Sequence, residues 1–265
     1  MSAARGIQAI AIGAWDEAAA ETEHTVELAR SVRKDADVGD LLAGAAFAYA
    51  MAGNRGAAAR LASESLDLAR RSGGPAFIAH SLTALAGAIA DREPQRARAL
   101  LAESLELRTT IEVQRPYDST HIVLIAARIA DWPLVLKLAP DAIRLHHWAG
   151  ERPYLSGIFN VVARAIASRD PESGAVLQGA ARRLTPAAVP VPRGIEVAGA
   201  NAVPPAGAAP SGASLVTELR RQTTAALRDA LGEIRLHQLR AEGEAMDDDH
   251  AVAYALEAIS QAGRG

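Results

Sequence analysis

The chain has 265 residues, a formal net charge of -3 and no cysteine. The length is enough for one large core or two small ones. Without cysteine, thiolate catalysis, disulfides and cysteine-ligated zinc are excluded, which fits a reducing cytoplasm; the charge balance leaves no general basic field for a nucleic-acid backbone.

Hydrophobic residues make up 49% of the chain but aromatics only 4%. The apolar content is therefore Ala, Leu, Val and Ile, which favours close-packed helices over β-sandwiches. Gly6 to Trp15 is apolar behind Arg5, but Asp16 and Glu17 come directly after it. A helix of the fold is expected there rather than a secretory signal. No apolar run approaches the ~20 residues that cross a bilayer, so a soluble, cytoplasmic protein is expected, with no membrane partner.

A repeat organises the chain from Thr22 onward. Leu61-Ala-Ser-Glu-Ser-Leu-Asp-Leu68 returns as Leu100-Leu-Ala-Glu-Ser-Leu-Glu-Leu107, 39 residues on. Thr22–Arg30 aligns with Ala62–Arg70 at an offset of 40, and Leu138–Leu145 with Leu61–Leu68 at 77. Each copy is the second helix of a pair. The first helices are predicted at Gly39–Ala52, Phe77–Ala90, Ser119–Ala130 and Tyr154–Ser168. The turns are Gly53-Asn54, Asp91-Arg92-Glu93, Asp131-Trp132 and Arg169-Asp170. Asn and Asp there accept from the free N–H groups of the next helix, and Pro94, Pro133 and Pro171 fall in the first turn, where proline costs least. Ala58, Leu61, Ala62, Ser65 and Ala69 share one helix face. Pro140 is expected to kink its helix.

Antiparallel helix pairs at a period of 38–40 residues are the mark of an α-solenoid, because one pair cannot bury its apolar face and stacked pairs can. Small residues let the paired helices approach. Ala45-Ala46-Phe47-Ala48-Tyr49, then Gly53 and Ala58, resemble tetratricopeptide repeats, with a longer period and with Gly87 where an aromatic is expected. The predicted fold is all-α: a helical-repeat array over 1–184, a Pro/Ala/Gly-rich loop over 185–213, and C-terminal helices over 214–265 that complete the array. Gly232 and Gly243 are expected to end two of those helices, and Asp247 to cap the last.

Two stretches carry a further resemblance. Leu231-Gly-Glu-Ile-Arg-Leu-His-Gln-Leu-Arg-Ala-Glu-Gly-Glu-Ala-Met-Asp-Asp-Asp-His-Ala-Val-Ala-Tyr-Ala-Leu256 is similar to the C-terminal helical region of actinobacterial LuxR-type and AfsR-like ATPase regulators and related adenylyl cyclase fusions. Asp170-Pro-Glu and Leu177-Gln-Gly-Ala-Ala-Arg-Arg-Leu184 resemble the helix that precedes it there. The resemblance implies a regulatory, protein-binding superhelix. Its nucleotide-binding module has no counterpart in this sequence: a phosphate loop needs Gly-x-x-x-x-Gly-Lys-Ser/Thr, and the only lysines are Lys34 and Lys137. The cyclase aspartates and an Arg-rich DNA-binding helix are likewise not visible.

Candidate sites are sparse. Asp247-Asp248-Asp249-His250 reads as a helix N-terminus rather than a metal site. His146 and His147 point about 100° apart on a helix and read as a solvated last turn. No catalytic, cofactor-binding or metal-ligating set is predicted, and no enzyme. Ser63, Ser65 and Ser104 read as packing positions of the repeat rather than nucleophiles. The concave groove is expected at His121, Trp148, Arg152, Tyr154 and Asn160, because solenoids bind along their inner helices. Ile7, Ile10 and Ile12 form an uncovered first-helix face, a candidate self-association surface. The function these features imply is a non-catalytic protein-interaction module in bacterial signalling or transcription regulation. The alternative is a small-molecule effector sensor using the groove.

Overall fold

The computed structural model describes residues 21, 24–28, 30–31, 35–72, 74–110, 118–184 and 212–264, and all structural statements concern these. Ile7, Ile10, Ile12 and the segment 185–211 lie outside the described residues. The described residues are helical, with no strand among them. The helices are α1 (Asp35–Ala52), α2 (Arg55–Ser72), α3 (Pro75–Ile89), α4 (Pro94–Arg108) and α5 (Asp118–Arg128). They continue as α6 (Trp132–Trp148), α7 (Arg152–Ile166), α8 (Pro171–Leu184), α9 (Gly212–Ala245) and α10 (Asp248–Ala262). Among these, none is long and apolar enough to cross a membrane.

The turns arise from local chemistry. Asn54, Asp131 and Asp170 each accept from a backbone N–H three residues on, at 3.2, 3.3 and 3.0 Å, which satisfies a donor the helix itself leaves free. Gly53 and Gly150 take φ of 86° and 70° at the ends of α1 and α6. The next N–H then reaches back five residues: Asn54 to the Tyr49 carbonyl at 2.9 Å and Glu151 to that of His146 at 2.8 Å. This closes the last turn. Ala130 does the same after α5 with φ 54°, and Asp131 N–H donates to the Ala126 carbonyl at 2.8 Å. Pro140 sits inside α6 without ending it.

Sequence neighbours pack on one another through α1–α4 and again through α5–α9, with α3 also on α5 and α10 on α6, α7 and α8. This is compatible with an α-solenoid. The first helices of the pairs are buried nearly all round: α3 from Ala79 to Ile89, interrupted only by half-buried His80, and α7 from Leu155 to Ile166 apart from Gly157 and Arg164. The second helices bury one face. In α2 that face is Ala58, Leu61, Ala62, Ser65, Leu66 and Ala69, the predicted stripe plus one leucine. Ser65 and Ser104 are packing positions with a hydrogen-bonding role. Ser65 donates to the Gly39 carbonyl and Ser104 to the Ala79 carbonyl, each at 2.7 Å, so each stitches a second helix to the first of its own pair.

The tail departs from a strictly linear stack. Gly232 (φ 74°, ψ 163°) breaks α9 into two arms. The arms pack on α8 and α7, and α9 also touches α1. Leu219 joins the main core, whereas Leu227, Leu236 and Leu239 form a satellite core with Ala167, Ala175 and Val176. Gly243 does not end the second arm, contrary to the expectation from sequence. It is a packing residue: a Cβ there would fall inside the Val176 carbonyl, as one on Gly179 would inside the Arg240 carbonyl. The two helices cross backbone to backbone.

Candidate functional site

The five residues expected in a concave groove fall into different environments. Trp148 is 86% exposed at the end of α6. Arg152 pairs with Asp248 at 3.3 Å, across the start of α10. Asp248 also takes Arg183 at 2.6 Å, and His147 meets Asp249 at 3.0 Å. Asp247 accepts from the His250 N–H at 2.8 Å. The acidic run is thus a helix cap clamped by basic residues. Asn160 is buried; its side-chain amide donates to the Ser156 carbonyl at 2.8 Å, and its Oδ1 has no hydrogen-bond partner among the described residues.

His121 and Tyr154 border a buried polar network instead. Arg108 of α4 pairs with Asp118 of α5, with both side chains 7% exposed. His80 of α3 puts Nδ1 3.4 Å from Asp118, and Arg108 donates to Ser104 at 3.3 Å and Thr83 at 3.4 Å. His121 stacks on Phe47, ring centroids 3.9 Å apart. Desolvation first, then repulsion from the charged forms of His80, Arg108 and His146, pull its pKa from 6.5 down to about 3, so it is neutral at pH 7. His146 stacks on Tyr154 at 4.6 Å. Burial lowers its pKa against the opposing effect of Glu151. We assign the neutral tautomer with Nδ1–H donating to Glu151 and Thr120 donating to Nε2, each at 2.6 Å. These groups meet across α3 to α7. Removing either partner of this buried pair would leave an uncompensated buried charge.

A different set faces a cleft. Gln178 and Arg182 of α8, Arg220, Arg221 and Arg228 of the first arm of α9, and Arg240 of the second line a space of about 620 Å3. Gln178 is buried; its Oε1 accepts from Arg240 at 3.2 Å, and its amide donates to the Arg220 carbonyl at 3.3 Å. Arg240 also donates to Thr224 at 2.7 Å. Three of the arginines have carboxylates at the rim: Arg182 with Glu244 at 3.0 Å, Arg228 with Glu233 at 2.5 Å and Arg221 with Glu218 at 2.6 Å. Arg240 has none among the described residues. Desolvation, then the charges of Arg182 and Arg228, pull its pKa below the usual arginine value against Glu233 and Glu244.

Sequence pattern alone does not single out these arginines, because charges on helices are usually solvated. One signal is present. Arg221, Thr224, Ala225 and Arg228 fall at i, i+3, i+4 and i+7, a basic stripe on one helix face. Nothing in the pattern places Arg182 and Arg240 beside it. Among the described residues no three His, Asp or Glu side chains gather as a metal-holding group. No family model, curated protein or solved structure matches the chain.

Proposed function

We propose that the chain is a non-catalytic, tetratricopeptide-like helical-repeat module that binds a protein partner in bacterial signalling or transcription regulation, akin to the helical region of LuxR-type and AfsR-like regulators. The observation that carries this reading is the packing of successive antiparallel helix pairs on one another, an architecture whose long faces suit protein recognition. The two stretches that carry the family resemblance also meet physically. Gln178 bonds Arg240, and Gly179 and Gly243 bring α8 and α9 into backbone contact.

Trp148 offers the most exposed large apolar side chain described, and Trp and Arg are enriched among the residues that carry binding energy in interfaces. The test is co-purification of the tagged full chain from its native host, with reconstitution of the complex from pure components. A one-to-one complex weakened at least about tenfold by Trp148→Ala with Arg152→Ala supports the reading. Failure of any purified partner to bind, or an affinity indifferent to those changes, overturns it.

A further inference from the structure

We propose that the cleft between α8 and the two arms of α9 binds a compact phosphoryl anion, a small molecule carrying two or more phosphate groups. The charge distribution is the first ground. In a chain of net charge -3, five of the 28 basic residues line this one space. Among the described residues no carboxylate lines it. Glu218, Glu233 and Glu244 pair with Arg221, Arg228 and Arg182, which leaves Arg220 and Arg240 without a carboxylate partner among the described residues.

Arg240 is the second ground. It is partly buried, and its hydrogen-bond partners among the described residues are neutral: the Gln178 side-chain oxygen and the Thr224 hydroxyl. A desolvated cation held only by neutral acceptors is costly, and an anion offsets that cost. Guanidinium forks bind phosphate oxygens in pairs, and several such forks converging on one space suit a ligand with more than one phosphate.

Size and surroundings narrow the class. About 620 Å3 lies within the roughly 300–1,000 Å3 of small-molecule sites. The walls come from three helical segments, and the rim is acidic. An extended polyanion such as a nucleic-acid backbone would run onto those rim carboxylates, whereas a compact one meets only the arginines. The site is separate from Trp148 and Arg152, so it stands or falls independently of protein binding there.

The experiment is isothermal titration of the full chain with inorganic pyrophosphate at about 50 mM and about 300 mM salt. Saturable one-to-one binding is expected, weakened severalfold at the higher salt. Arg220→Gln and Ala225→Glu alter exposed side chains, so both variants should fold; circular dichroism checks this. Each is expected to lower affinity about tenfold, as is Arg240→Gln, with Arg96→Gln on α4 as an unchanged control. No saturable heat with pyrophosphate at about 10 mM, or wild-type binding by both Arg220→Gln and Ala225→Glu, overturns the proposal. Equal affinity for citrate overturns the phosphoryl assignment, and tighter binding of duplex DNA overturns the small-molecule one.

Discussion

Ala130 holds its backbone at φ 54°, while Gly53 holds φ 86° at the matching corner 77 residues earlier. That offset also relates Leu61 to Leu138, so the sequence repeat and the turn geometry share one register. An L-residue in this region is strained by about 1–2 kcal/mol. Ala130 is exposed, so its methyl leaves no cavity. Ala130→Gly is expected to raise stability by about 0.5–1 kcal/mol, part of the strain relief being offset by unfolded-state entropy; the urea midpoint reads this, and an unchanged or lower midpoint refutes it. His121 makes the second prediction at this scale. Its folded pKa lies near 3 against 6.5 in the unfolded chain, so between those values the unfolded state binds more protons. Stability therefore falls as pH drops from 6.5 towards 3, by up to about 1.4 kcal/mol per unit. His121→Phe, which keeps an aromatic face against Phe47, should flatten that slope between pH 7 and pH 5. A slope identical to wild type would remove His121 as its source. The helix that carries His121 is legible in the sequence, but the partners of the ring are not, because Phe47, His80 and Arg108 come from three other helices.

At the scale of elements, periodicity makes the helix pairs legible. The predicted starts and ends of α1, α3, α5 and α7 fall within a few residues of those observed, since Gly, Asn, Asp and Pro each act locally at the turns. The tail is less legible because its glycines have different jobs. Gly232 breaks the helix through its own backbone at φ 74°. Gly243 lies within the helix and is required by a neighbour, a cause that local sequence does not display. A Cβ at Gly179 would meet the backbone of Arg240, and one at Gly243 the backbone of Val176. Backbone cannot rotate away as a side chain can, so the arms of α9 must lift from α8. Gly179→Ala and Gly243→Ala are each expected to cost about 3 kcal/mol or more despite alanine's better helix propensity. Gly157→Ala, with open space around it, is the control and should be neutral or stabilising. Limited proteolysis should cut α9 faster in the first two variants only; equal rates in all three would show that the crossing tolerates separation.

For the whole molecule, Asp91 in the α3–α4 turn joins parts that a linear stack would leave to nearest neighbours. It accepts from Arg55 of α2 at 2.5 Å and from Arg128 of α5 at 2.5 Å. Arg128 also donates to the Ala50 carbonyl of α1 at 3.0 Å. One carboxylate thus couples three successive helix pairs. Burial works to raise its pKa, but the hydrogen bonds and charges of Arg128 and Arg55 prevail and hold it below 3.8. A depressed carboxylate contributes stability that is complete above its unfolded pKa and disappears as pH falls through the folded value. Asp91→Asn is therefore expected to cost about 2 kcal/mol at pH 7, because it leaves Arg128 (8% exposed) without its counter-charge. Once the pH has fallen through the folded pKa of Asp91, which lies below 3.8, the variant and the parent should converge. This loss begins at a lower pH than that of His121, which starts near 6.5, so His121→Phe should change the acid response first and Asp91→Asn at lower pH. Because adjacent pairs in a repeat array unfold together only as far as their interfaces couple them, Asp91→Asn should also broaden the urea transition at pH 7. A variant that keeps the parent's midpoint and sharpness at pH 7 would mean that the apolar contacts between α3 and α5 couple the pairs without the carboxylate.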